Sequence, residues 1–218
     1  MSIQEMITKA LLDKQEKKKN RTRSNKFNPS SFGRCYRNQY WNRQDEPVTN
    51  PVNVKSLMNF EEGSYTHSLI QDQLPVEMVE KEIDSEDVFG RADIVEEDAV
   101  TDIKSAEARG FKAFHDIPSD KFVDKNPHYF LQTGWYASML KKKYIRIRSN
   151  VKGSLQSFRI HEQPTELWKD KVQHELDMLR MYWDKQELPP AEARAFNGRD
   201  CTYCAWRKKC DEVEDGNR

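Results

Sequence analysis

The chain has 218 residues, with 36 basic and 36 acidic side chains, so its formal net charge is zero. Charged residues make up 33% and apolar ones 36%, a balance that excludes a membrane-embedded protein and allows one sizeable domain with at most a small appendage. There is no apolar run of roughly 18 residues and no apolar signal core near the N-terminus, so the expectation is a cytoplasmic protein with no membrane partner. In a reducing compartment its four cysteines serve better as metal ligands than as disulfides. Zero net charge argues against gripping nucleic acid over the whole surface, and leaves room for a local basic groove.

Residues 1–20 read as an amphipathic helix, with Ile3, Met6, Ile7, Ala10 and Leu11 at helical spacing. A basic stretch follows (Lys17, Lys18, Lys19, Arg21, Arg23, Lys26), suited either to solvent or to phosphates. Residues 1–27 are therefore set apart as a helix and linker, 28–210 as the main domain and 211–218 as a tail. Asn28 to Ser31 forms a turn and cap before a short helix carrying Cys35, Tyr36 and Tyr40. Ser56 to Leu74 predicts a helix with Leu57, Phe60, Leu69 and Ile70 apolar, interrupted by Gly63.

Three strands are expected at 76–83, 88–95 and 99–105, separated by short polar turns. Residues 106–126 read as a loop. Pro127 to Lys142 predicts a helix with a Leu131, Trp135, Met139 stripe. Tyr144 to Arg148 alternates as an exposed-face strand does, 154–161 predicts another strand, and Pro164 to Gln186 a long helix. This order is that of an α/β fold with a mixed sheet.

The chemistry concentrates at Asp102-Ile103-Lys104. In a strand, residues two apart share a face, so Asp102 and Lys104 point together while Ile103 points to the core. If the second and third strands form a hairpin, Asp93 lies nearly opposite Asp102. Opposed carboxylates repel, so the pair makes sense around a hard cation, Mg²⁺ or Mn²⁺. Such a site suits phosphodiester hydrolysis, with Lys104 stabilising developing negative charge. Alone, a D-x-K triplet is most often a surface salt bridge. His67, on the preceding helix, offers a nitrogen ligand that favours Mn²⁺. Gln132 and Tyr136 stand at i and i+4 on one helix face and offer an amide and a phenol for a phosphate or a base.

Together Gly63 and His67, Glu80, Gly90-Arg91-Ala92-Asp93, Asp102-Ile103-Lys104 and Gln132 to Tyr136 resemble, in order and spacing, the successive motifs of RecB-type PD-(D/E)XK nucleases. The resemblance implies a restriction-endonuclease-like core, a mixed central sheet flanked by helices. It implies that His67, Asp93, Asp102 and the Ile103 backbone carbonyl bind the metal, that Lys104 is catalytic, and that Gln132 and Tyr136 help place DNA. Glu80 supports the site from outside. Asp102 stands where many relatives carry Glu.

Cys201, Cys204 and Cys210 form C-x₂-C-x₅-C near the C-terminus, with Cys35 far upstream. Four thiolates suit either tetrahedral zinc or an iron–sulfur cluster. The arrangement resembles that of the CRISPR-associated Cas-four type exonucleases and AddB-type helicase–nucleases, which implies a four-iron, four-sulfur (4Fe–4S) cluster, with zinc the second choice, joining the two ends of the core. Ser30, Ser31 and Cys35 resemble the same family's opening segment. The implied function is a deoxyribonuclease, an exonuclease on single-stranded or frayed DNA in recombination, replication or CRISPR adaptation, acting alone or with a separate protein of those pathways. The alternatives are a non-catalytic DNA-binding adaptor and a structure-specific endonuclease. Trp41, Tyr65, Phe114, His115 and Lys141 to Lys143 are weaker candidates for strand contacts.

Overall fold

The runs expected as three strands form the first half of a sheet in the computed structural model of the chain. It describes residues 2–19, 25–107, 117–195 and 200–216, without the side chains of residues 4, 15–19, 215 and 216. The strands β1 (Val79–Asp84), β2 (Phe89–Val95), β3 (Ala99–Ala106), β4 (Tyr144–Val151) and β5 (Phe158–Pro164) are ordered β1-β2-β3-β4-β5. All neighbours are antiparallel except β3 and β4. Short turns suffice for the antiparallel pairs; the Ser85 hydroxyl accepts from the Val88 amide and closes the first. The parallel pair needs a crossover, and the chain between β3 and β4 supplies α4 (Ser119–Lys125) and α5 (Pro127–Met139).

Helix α5 is buried on most of its surface, which is why its polar residues Gln132, Thr133 and Tyr136 are buried as well. Phe130 stacks on Trp168 of α6 (Glu166–Asp184), with ring centroids 5.2 Å apart. These residues join Val100, Ile145, Ile147, Val172, Leu176 and Leu179 in the main core. A buried Phe or Leu side chain of this kind contributes roughly 1.5–3 kcal/mol. A second, smaller core joins Ile70 of α3 (Val54–Gln71) to Ile94 and Ile103 of the sheet. Helix α3 starts where the Asn53 side chain accepts from the Ser56 amide.

Several expectations are corrected. β4 is an interior strand, with Ile145 and Ile147 fully buried. Its alternation marks two different environments, since Arg146 and Arg148 are half-buried and paired to polar partners. The loop expected over 106–126 contains α4, and residues 108–116, with Phe114 and His115, lie outside the described residues. β1 begins after a 3₁₀ turn at Val76–Met78, and β5 begins at Phe158.

The stripe of α1 (Ile3–Lys19) leaves Ile3, Met6, Ile7 and Ala10 exposed and Leu11 half-buried. Phe60 and Met139, expected on apolar faces, are exposed too. In the basic stretch, Lys26 is pinned to Asp84 and the Ser85 carbonyl, and Arg21 and Arg23 lie outside the described residues. No helix among the described residues is long and apolar enough to cross a membrane.

Candidate active site

Asp93 sits where two ladders are interrupted. β2 and β3 pair at Ile94–Thr101 and Val95–Val100 and no further. Continuing that register sets Asp93 across from Asp102. On its other side the β1–β2 register sets Asp93 across from Glu80, at a rung the pairing skips. Three carboxylates thus fall on one rung of three adjacent strands, as the sequence predicts for Asp93 and Asp102. The strands accommodate the crowding by parting. The Asp93 carboxylate takes the place of a ladder partner and accepts from the Ile103 amide at 2.7 Å. Glu80 adopts a left-handed backbone, φ 49°, an uncommon conformation for a non-glycine residue.

Around this gap the other expected residues converge. His67 reaches in from α3, with Nδ1 3.6 Å from Asp93 Oδ2. Lys104 Nζ lies 2.7 Å from Asp102 Oδ2 and 3.3 Å from Gln132 Oε1, and Gln132 Nε2 donates to Asp102 Oδ1 at 2.9 Å. Asp102 Oδ2 is thus buried against the Lys104 ammonium in a close ion pair. Tyr136 hydrogen-bonds Gln132 and the backbone of Arg91. A Cβ at Gly90 would come 2.6 Å from the Tyr136 hydroxyl, so only glycine lets this tyrosine lie there. Tyr136, at 2% exposure, holds Gln132 in place, and buried Gln132 in turn holds Asp102 and Lys104.

The charges at the gap are strongly coupled. Burial, and then the neighbouring Asp102 charge, push the Asp93 carboxyl well above the usual carboxylate range. The Lys104 ammonium is kept charged against burial by Asp102 and Asp93. Burial lowers His67, which keeps its imidazole neutral and one ring-nitrogen lone pair available as a ligand. Two facing carboxylates, one of them hard to ionise beside the other's charge, and a neutral imidazole form a donor set that fits a hard divalent cation. Among the described residues no three His, Cys, Asp or Glu side chains are already drawn in to ligation geometry. The site opens on a groove of about 1010 Å³ lined by Phe60, Gly63, Ser64, His67, Glu80 and Lys104, among others.

No family model and no curated protein matches the chain. Three solved structures share its architecture. The protein SSO0001 aligns over 96% of both chains at TM-score 0.59 and 16% identity. An alkaline exonuclease of Laribacter hongkongensis covers 78% of this chain and 93% of its own, at TM-score 0.52 and 10% identity. A phage-related exonuclease of Haemophilus somnus 129PT covers 69% and 80%, at 0.50 and 13%. The likeness is one of fold.

Cysteines far apart in sequence come to a cavity separate from the groove at the acidic gap. Cys35, Cys201, Cys204 and Cys210 line one cavity of about 510 Å³. Their sulfurs already receive donors: Arg37 Nη1 lies 3.3 Å from Cys210 Sγ, and Asn38 Nδ2 and the Trp206 amide each lie 3.5 Å from Cys204 Sγ. Burial, Asp200 and the neighbouring thiols Cys35 and Cys204 push the Cys201 thiol up, a mutual repulsion that a bound cation removes. Among the described residues these cysteines, like the acidic side chains, are not grouped closely enough to hold a metal ion, so the expected four-cysteine cluster is not supported by their placement.

Two carboxylates hold this region together independently of any metal. Asp200 accepts from the Cys35, Arg194 and Ala195 amides. Glu175, 1% exposed, accepts from the Gly33 amide, Gln39 and Arg194. Trp41, a candidate strand contact by sequence, is instead buried against Trp206.

Two residues at the acidic site escape the sequence reading. Gln71 Nε2 donates both to Glu80 and to the Asp93 carbonyl; its signal is its place four residues after His67 on one helix face. The Tyr129 ring lies 4.9 Å from Lys104 Nζ, and its signal is its place three residues before Gln132.

Proposed function

We propose that the chain is a metal-dependent deoxyribonuclease of the PD-(D/E)XK kind, in its RecB-like, Cas-four type branch, with a 4Fe–4S cluster at the four cysteines. The single observation that carries the hydrolytic reading is the meeting of His67, Asp93, Asp102 and Lys104 at one gap between parted strands. Shared fold with two proteins described as exonucleases supports it.

His67, Asp93, Asp102 and the Ile103 carbonyl would hold Mg²⁺ or Mn²⁺, which when bound supplies positive charge at the scissile phosphate and a more acidic water. Lys104 presents its ammonium at the groove beside the acids, where charge builds on a phosphate oxygen during displacement. Gln132 fixes both Asp102 and Lys104, and Tyr136 fixes Gln132. The substrate is single-stranded or frayed DNA attacked from an end.

The test is hydrolysis of linear and circular single-stranded DNA with Mg²⁺ or Mn²⁺, comparing wild type with Asp102→Ala. Cleavage of linear DNA alone, lost in the variant, is expected. Cleavage of circles makes it an endonuclease. Binding without cleavage in any metal makes it an adaptor and ends the hydrolytic reading.

A further inference from the structure

The groove beside the acidic gap has features that the hydrolytic residues do not use. One wall is α3, which presents Phe60, Gly63, Ser64, His67, Ser68 and Gln71 at helical spacing along a single face. Phe60 is 58% exposed. Leaving such an aromatic in water forgoes roughly 1.5–3 kcal/mol of burial, although the sequence pattern offered it a place beside Leu57 and Ile70.

Its position is nonetheless fixed. Lys152 Nζ, from the turn after β4, donates to the carbonyl (3.3 Å) and side chain (3.4 Å) of Asn59, and pairs with Glu62 at 3.1 Å. The turn of helix that carries Phe60 is thereby clamped to the sheet.

Gly63 is the second feature. A glycine inside a helix costs about 1 kcal/mol relative to alanine. Packing gives no reason for it, because an added Cβ would meet only Ser105 Oγ, at an ordinary 3.6 Å. The space above Gly63 belongs to the groove, so the residue is explained by something that passes close over the helix there.

We propose that Phe60 is a stacking platform for a nucleobase and that Gly63 gives the clearance by which the same strand crosses α3 on its way to Lys104. The inference rests on the nuclease reading and specifies its substrate. An aromatic platform needs a base with a free face; inside a duplex both faces are taken by neighbours. The groove therefore selects unpaired DNA.

The test measures binding of a short deoxyoligonucleotide, single-stranded or as a blunt duplex, by fluorescence anisotropy in EDTA, alongside steady-state hydrolysis in Mn²⁺. Phe60→Ala is expected to weaken single-strand binding by about tenfold, within the range of one base–aromatic stack. It raises KM and leaves kcat unchanged, whereas Phe60→Trp keeps wild-type affinity. Gly63→Ala is expected to raise the melting temperature while weakening single-strand binding, a combination that a purely structural glycine does not give. Both variants leave the weaker duplex binding unchanged.

Wild-type affinity for single strands in Phe60→Ala and Gly63→Ala, with hydrolysis intact, overturns the inference and leaves the nuclease standing. Equal losses on both DNA forms overturn the selectivity. A wild type that neither binds nor cuts DNA removes both.

Discussion

The acidic gap and the cysteine cavity are both built from residues distant in sequence, yet they are held in opposite ways. The gap lies in the middle of the sheet, where Asp93 and Asp102 force β2 and β3 apart and give up ladder hydrogen bonds. Its charges are arranged at the expense of local regularity. The cysteine cavity lies where the N-terminal segment meets the C-terminal one, and everything around it adds attachment: the Asp200 and Glu175 clasps and the Trp41–Trp206 contact. The first region is strained toward chemistry and the second tied toward stability. Substitutions should therefore separate cleanly, activity at one region and melting temperature at the other.

The largest effect is expected at the gap. Lys104→Ala should lower kcat about 10²–10³-fold, the usual loss on removing a group that stabilises transition-state charge, while cysteine-bound metal content stays as in wild type. A matching loss of that metal would break the comparison. Next comes Cys201→Ser. With the proposed cluster bound, it should remove iron and its visible colour and destabilise the fold by about 2–4 kcal/mol, as opening a long cross-linked loop does, placed at the low end by the carboxylate clasps. Denaturant titration measures this, and unchanged stability would leave the cavity without its stapling role.

Tyr136→Phe sharpens the comparison from within the core. It removes one buried hydrogen bond, about 1 kcal/mol, and should lower kcat severalfold through a loosened Gln132. Adding Gln132→Ala should then cost no more than Gln132→Ala alone, a double-mutant cycle that checks the chain of contact.

The smallest effect lies outside both regions. His161 is buried against Phe122, its ring stacked at 3.7 Å, and burial lowers its pKa to about 4. Between its ordinary value of 6.5 and about 4 the unfolded chain takes up a proton that the folded chain refuses. Stability is therefore full above that window and falls as pH drops through it. Melting temperatures at pH 7 and pH 5 should differ less in His161→Gln than in wild type. An undiminished difference would assign the acid sensitivity to other groups.

Local pattern carried much of the fold. Alternation and polar turns located β2 and β3 almost to the residue, Pro127 set the start of α5, and the two-residue period of strands put Asp102 and Lys104 together. The same period located β4, which runs on to Val151 with buried Ile145 and Ile147 alternating with arginines that the sheet pairs and half-buries. Tyr136 was read correctly as sharing a face with Gln132. Its burial depends on the space left by Gly90 of β2, which is not encoded near it.

By itself, then, the sequence determined the order of elements, the rung shared by Asp93 and Asp102, and the grouping of three late cysteines, since each follows from spacing along one short segment. The tertiary structure alone decided that His67 reaches Asp93, that Cys35 meets Cys201, and that Phe60 faces a groove rather than the core. Those outcomes depend on how whole elements pack, and packing is set by contacts between segments whose separation along the chain no local pattern records.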